Sequence, residues 1–169
     1  MGLDFECNGI VERVGSYSFY QKQRMTWINA TLLYLKDILI KLEQKQEKQE
    51  EFENALFLHK KLEMWLDTDE TGEMTIDYSE VYKTPVDKLH NMRLYGLYLW
   101  VYHSDCDGYY TSNDAYFIME SLVLIKNFFT KIEKKDYFNR DEENVSIQDY
   151  YLYEIFSSSI YTKSLIKFC

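Results

Sequence analysis

The chain is poor in the residues that interrupt regular structure, with one proline and six glycines in 169 residues. Long unbroken elements are therefore expected, and helices tolerate such a composition best. Cysteine is scarce too. Cys7, Cys106 and Cys169 are an odd set with no CxxC spacing, which argues against zinc ribbons and disulfide scaffolds and fits a reducing compartment. Positive charge is in deficit: 19 Lys and Arg face 28 Asp and Glu, a net charge of −9. A protein that follows a nucleic-acid backbone needs a basic footprint, so no nucleic-acid polymer is expected as a partner. A small anion held by a few local Arg or Lys residues remains compatible with this charge. No apolar run reaches the roughly 18 residues of a membrane span, and no basic stretch followed by an apolar run opens the chain. We expect a cytoplasmic protein (the host cytoplasm, if the origin is viral) that makes no membrane contact. Phosphate-cradling glycine loops, a nucleophile elbow and HExxH are missing, so no catalytic residue is assigned.

Aromatic residues are in excess. Sixteen Tyr, ten Phe and three Trp make up 17% of the chain. A tyrosine buries its ring but needs water or a partner for its hydroxyl. Such a surplus implies either an aromatic core whose polar tips reach the surface or an aromatic-lined groove. With 46% hydrophobic and 28% charged residues, the composition is that of a folded domain rather than a disordered chain.

The fold class expected is mainly α: a single-domain helical bundle over residues 1–169, with a short extended N-terminal segment and a small β-hairpin. Residues 1–18, with Gly2, Gly9 and Gly15, read as an extended segment or loop. From Phe19, Met25, Ile28, Leu32, Leu35, Leu39 and Leu42 form an amphipathic stripe. Residues 43–53 are nearly all Glu, Lys and Gln, a solvated helix or a turn between antiparallel helices. A second helix starts at Phe52 with Leu56, His59, Leu62 and Leu66 on one face. Glu73 to Tyr78 alternates as a short strand does. After Pro85 a third helix is expected from about Val86 to Tyr102, striped by Leu89, Met92, Gly96, Leu99 and His103. Gly96 weakens this helix and allows a neighbour to approach closely. A fourth helix starts at Thr111 or Ser112, both good N-caps. A last one runs from Ser146 through Leu165.

The string from His103 to Asp114, HSDCDGYYTSND, joins two of these helices. Taking His103 as position one of a twelve-residue calcium loop puts Asp105 at three, Asp107 at five, Gly108 at six and Asp114 at twelve. Alternating carboxylates on a sharply turning backbone suit a hard cation, so Asp105, Asp107 and Asp114 are the candidate metal ligands. The match is partial, with His at position one and the shorter Asp at twelve. Asp67, Asp69, Thr71 and Gly72 begin a second such loop, with Tyr78 at position twelve. The plainer reading of both is an Asp/Gly turn whose carboxylates satisfy backbone amides. His103 is either a ligand or base oriented by Asp105 or Asp107, or a helix C-terminal residue placed favourably at the negative end of the dipole; the structural reading is preferred. His59 and His90 read as ordinary surface or core-edge residues without a partner at i+4. Cys106 has only His103 as a basic neighbour, which is thin ground for a Cys/His nucleophile.

The opening Met1-Gly2-Leu3-Asp4 together with His103-Ser-Asp-Cys-Asp-Gly108 resembles a family of small uncharacterised bacterial and bacteriophage proteins that share an MGLD start and an HSDCDG signature. The resemblance implies a prokaryotic or viral origin and transfers no activity. It points to a purpose for the HSDCDG loop, structural or ligand-binding.

The function expected is non-enzymatic binding of a small planar ligand, and a nucleotide immune signal sequestered by a phage-type protein is its concrete form. Trp100 and Tyr109 offer stacking surfaces, His103, Asp105 and Asp107 polar contacts, and Arg24 and Arg93, with Arg13, Lys22 and Arg140, phosphate contacts. The alternatives are a degenerate EF-hand-like metal module binding calcium or another divalent ion, a metal-assisted hydrolase at the same loop, and a protein-interaction module working through residues 44–53. Otherwise no cofactor is expected. Helical proteins with aromatic faces often pair with a second copy, so a homodimer is also expected.

Overall fold

The computed structural model describes residues 2–103, 108–131 and 149–169. Among these, the chain is mainly α-helical with small antiparallel sheets. The elements run β1 (Gly2–Cys7), β2 (Ile10–Ser16), α1 (Tyr17–Leu42), a 3-10 turn (Gln46–Lys48), α2 (Gln49–Trp65), β3 (Leu66–Thr68), β4 (Met74–Ile76), α3 (Tyr78–Tyr82), α4 (Val86–Asn91), α5 (Tyr95–Tyr102), β5 (Tyr109–Tyr110), α6 (Ser112–Lys131), α7 (Asp149–Thr162) and β6 (Ile166–Phe168). No helix among the described residues is long and apolar enough to cross a membrane.

The N-terminal segment is a β-hairpin rather than a loop. Asn8 and Gly9 turn it with φ of 55° and 84°, the left-handed pair that a two-residue hairpin needs and that Asn-Gly adopts readily. Leu3, Phe5 and Cys7 alternate into the core. The C-terminal β6 pairs with β1 on one side and β5 on the other, so the sheet order is β2-β1-β6-β5. The last helix accordingly stops at Thr162, short of Leu165. Lys163 takes a left-handed φ of 57°, and Ile166 and Phe168 become buried strand residues. The expected start of that helix at Ser146 lies outside the described residues.

Ser16 caps α1, its Oγ accepting from the Phe19 N–H at 3.2 Å. The aliphatic stripe is only part of the buried face of α1, which also carries Tyr20, Arg24, Trp27 and Thr31. Residues 43–48 turn the chain between α1 and α2. On α2 the buried stripe is Ala55, Leu58, Leu62 and Trp65, displaced from the expected one, and Trp65 is fully buried. Its indole N–H donates to Thr84 Oγ1 at 2.9 Å.

The expected third helix is two helices. Arg93 has a left-handed φ of 57°. The Leu94 N–H reaches the Leu89 carbonyl at 2.8 Å and the Arg93 N–H the His90 carbonyl at 3.0 Å. These two bonds close a Schellman motif, which satisfies the end of α4 and redirects the chain into α5. Beyond the break, Gly96 lies against α6. A Cβ there would fall 2.0 Å from the Phe117 carbonyl oxygen, so the glycine does permit a close helix crossing.

The core is aromatic at its centre. Phe5 sits among Tyr20, Trp100, Tyr110, Phe156 and Phe168, with ring centroids 4.6 to 6.5 Å away. Edge-on and tilted arrangements of this kind suit the ring quadrupoles. The sheet's inner face thus packs on α1, α5 and α7.

Candidate functional site

The residues singled out in the sequence divide into two groups. Asp105 and Asp107, with Ser104, Cys106 and Arg140, lie outside the described residues. The others can be located. Trp100 is fully buried and belongs to the core around Phe5, away from solvent. Arg24 is also buried, 1% exposed. Its Nε donates to the Trp100 carbonyl at 3.1 Å, its Nη1 to the Tyr78 hydroxyl at 3.2 Å, and its Nη2 to the His103 carbonyl. The guanidinium also lies over the Tyr20 ring, 4.2 Å from its centroid.

These bonds have one physical purpose. The C-terminal turn of α5 has a buried side at Trp100 and Val101, where unsatisfied carbonyls are costly. Tyr110 Oη donates to the Leu99 carbonyl at 3.1 Å, and Tyr20 Oη joins Arg24 on Trp100. The cation at the negative end of this helix is therefore Arg24 from α1. Deep burial, and after it the neighbouring Tyr20, pushes the Tyr110 phenol well above its usual range, so it stays a donor.

His103 caps α5. Its ring stacks on Phe168 at 4.0 Å and tilts on Tyr110 at 4.5 Å. Its Nε2 lies 3.1 Å from the Tyr109 carbonyl, which makes Nε2 the protonated nitrogen. Gly108, with φ of 103°, passes the same ring so closely that a Cβ would come within 3.1 Å of it. His103 therefore ties the end of α5 to β5 and β6. Tyr109 is exposed beside it. Asp114 is part of a helix start. Its Oδ2 accepts from Thr111 N–H and Oγ1 at 2.9 and 2.8 Å, and Thr111 Oγ1 accepts from the Asp114 N–H at 3.1 Å, a capping box with Asp in the usual Glu position. Among the described residues no three His, Cys, Asp or Glu side chains converge as a metal set.

The companion loop closes the β3–β4 hairpin, and the helix that follows it, α3, has only five residues, so the segment is not the helix-loop-helix of a calcium-binding unit. Asp69 Oδ1 accepts from the N–H of Thr71 and of Glu73 and from Thr71 Oγ1, at 2.6 to 2.9 Å. The Thr71 hydroxyl and these amides hold its carboxyl below the usual range. His59 does have a carboxylate one turn on, with Nδ1 3.6 Å from Glu63 Oε1.

Arg93 is exposed at the break before α5, while Arg24 is at the other end of that helix. Eight residues at ~1.5 Å each separate them by about 12 Å. The two arginines are therefore not brought together.

A set of rings that sequence reading passed over is brought together instead. Tyr95, Tyr98 and Tyr102 follow each other on α5 at a spacing of three and four. Tyr95 and Tyr98 stack at 5.8 Å with planes 16° apart, and Tyr98 and Tyr102 at 5.4 Å with planes 7° apart. Tyr82 of α3 extends the row beyond Tyr102 at 5.9 Å, and His90 of α4 extends it beyond Tyr95 at 4.1 Å. Phe117 of α6 supports the His90 end edge-on. This ladder opens to solvent: Tyr82 is 68% exposed and Tyr102 47%. Partial burial, and next the charge of Asp114, raises the Tyr95 phenol. Partial burial, and next the adjacent tyrosines, raises Tyr98. The signal was in the sequence as Tyr95-x-x-Tyr98-x-x-x-Tyr102, a spacing of three and four that puts the rings on one side of α5.

No family model, no curated protein and no solved structure matches this chain.

Proposed function

We propose that the protein is a non-enzymatic binding protein that holds a flat, delocalised group against the tyrosine ladder of α5. The supporting observation is the row of rings from Tyr82 through Tyr102, Tyr98 and Tyr95 to His90, contributed by three helices and open to solvent at Tyr82 and Tyr102. Stacked rings offer apolar area at little cost in side-chain entropy, and hydroxyls at their tips for hydrogen bonds. Raised phenol pKa values keep Tyr95 and Tyr98 neutral, which suits contact and hydrogen bonding rather than proton abstraction. In the form suggested by the resemblance to bacterial and bacteriophage proteins, the ligand is a nucleotide-type signal, taken out of circulation and left chemically intact.

The test is a thermal melt against a panel of planar probes: linear nucleotides, cyclic nucleotides and an arginine-rich peptide. Wild type is compared with the double variant Tyr82→Ala, Tyr102→Ala. A ligand that binds only the native state adds roughly 2.7 kcal/mol at a hundredfold excess over Kd. At least one probe is expected to raise the wild-type midpoint and to lose that effect in the variant, with the probe recovered unchanged by mass spectrometry. The reading fails if no probe shifts the midpoint, or if every shift survives loss of the two tyrosines.

A further inference from the structure

The contact between α1 and α5 contains polar atoms with nothing in the protein to bond. Gln23 Oε1, Trp27 Nε1 and Trp100 Nε1 are buried atoms without a hydrogen-bond partner, on residues that are 2%, 0% and 0% exposed. Such groups are normally satisfied by protein or by enclosed solvent, because leaving them bare forfeits their hydration. The three are neighbours. Gln23 lies between Tyr20 and Trp27 on the buried side of α1, three residues after one and four before the other. The Trp100 ring of α5 meets both, with its centroid 4.8 Å from that of Tyr20 and 5.9 Å from that of Trp27. Trp100 therefore lies across the turns of α1 that carry Gln23.

We propose that these three atoms form an interior site for one water molecule, which accepts from the two indole N–H groups and donates to the Gln23 oxygen. The donor set defines the occupant's chemistry. Two N–H donors disfavour a cation and a carboxamide oxygen disfavours an anion, so the occupant is neutral and both accepts and donates. The Phe5 and Phe156 rings close around Trp100 at 6.0 and 6.2 Å, and none of the three residues is more than 2% exposed, which suits the smallest such molecule. A buried water typically makes about three hydrogen bonds, the number offered here. Its effect is to add a directional contact to an apolar one. Ring-on-ring packing tolerates sliding, whereas a satisfied polar network fixes one seating, here of α5, which carries the ladder, on α1.

The experiment is a crystal structure of the full chain at a resolution that places ordered solvent, with a matching structure and urea denaturation of Gln23→Met. Methionine keeps the length and unbranched shape of glutamine and removes the acceptor. The expected wild-type map has one ordered peak at about 2.6–3.2 Å from Gln23 Oε1 and from both indole nitrogens. In Gln23→Met the peak is lost and the urea midpoint falls, since two buried donors then have no bridge. A wild-type map without the peak overturns the proposal. So does a carboxamide turned to bond an indole directly, or indole N–H groups set against the faces of Tyr20 or Phe5 with no solvent between. A raised midpoint in Gln23→Met also overturns it, because that is the result for a buried oxygen with no partner. Should the variant fail to fold, the wild-type map decides alone.

Discussion

Arg24 shows how far a residue's role departs from its chemistry in isolation. As a cation near aromatic residues it is a natural phosphate ligand. In the fold it is buried against two carbonyls at the end of α5 and the face of Tyr20. Its charge serves the carbonyls at the C-terminal end of α5. His103 departs in a similar way: its ring packs on Phe168 and Tyr110, and its Nε2 meets the Tyr109 carbonyl of β5. Gly96 is the residue whose purpose was readable beforehand. A methyl group there would lie 2.0 Å from the Phe117 oxygen, which only backbone movement can relieve. Gly96→Ala should therefore cost about 1–3 kcal/mol despite the better helix propensity of alanine. Urea denaturation should show a lower midpoint with an unchanged slope. A stabilised variant would mean that α5 and α6 do not cross so closely.

At the scale of elements, α5 is the organising helix. One side packs Leu97, Trp100 and Val101 into the core, while Tyr95, Tyr98 and Tyr102 form the ladder. That division depends on the break before it. A helix continuing through Met92 and Arg93 would carry a different face of α5 to the surface, and Tyr95 would no longer stack on His90. Arg93 makes the break in a left-handed conformation that costs a non-glycine residue about 1–2 kcal/mol. Arg93→Gly should relieve that strain and raise stability by about 1 kcal/mol, read as a higher urea midpoint. A loss of stability instead would show that the interactions of the Arg93 side chain outweigh the backbone term. The Asn8-Gly9 turn and the Tyr spacing on α5 were both legible as short-range patterns, since each depends on neighbours within four residues.

For the molecule as a whole, the two chain ends close the sheet. β6 lies between β1 and β5, and the Asp4 and Cys169 backbones exchange hydrogen bonds at 3.1 and 3.0 Å. Removing residues 166–169 takes away buried Ile166 and Phe168 and leaves β1 and β5 unpaired along one edge, with the His103 ring uncovered. Two buried side chains of this size are each worth roughly 1.5–3 kcal/mol in transfer terms alone. This is a large part of the 5–15 kcal/mol typical of a domain. The truncated chain should melt well below the full one, with earlier loss of near-ultraviolet aromatic signal. A melting temperature within a degree or two of the intact chain would show that β6 adds little to the fold.

The sequence by itself determined the helical class, the long α1, the close approach at Gly96 and the backbone-satisfying turn at Asp69, and left residues 43–53 open between a solvated helix and a turn. Each follows from composition, local periodicity or a side chain bonding to backbone a few residues away. Only the tertiary structure decided that residues 166–168 form a strand, that Trp65 is buried with its indole on Thr84, that Arg24 caps a helix 76 residues further on, and that rings from three helices line up as one ladder. Those outcomes depend on pairings between distant segments, and pairings of that kind are set by which surfaces bury each other and leave no local period to read.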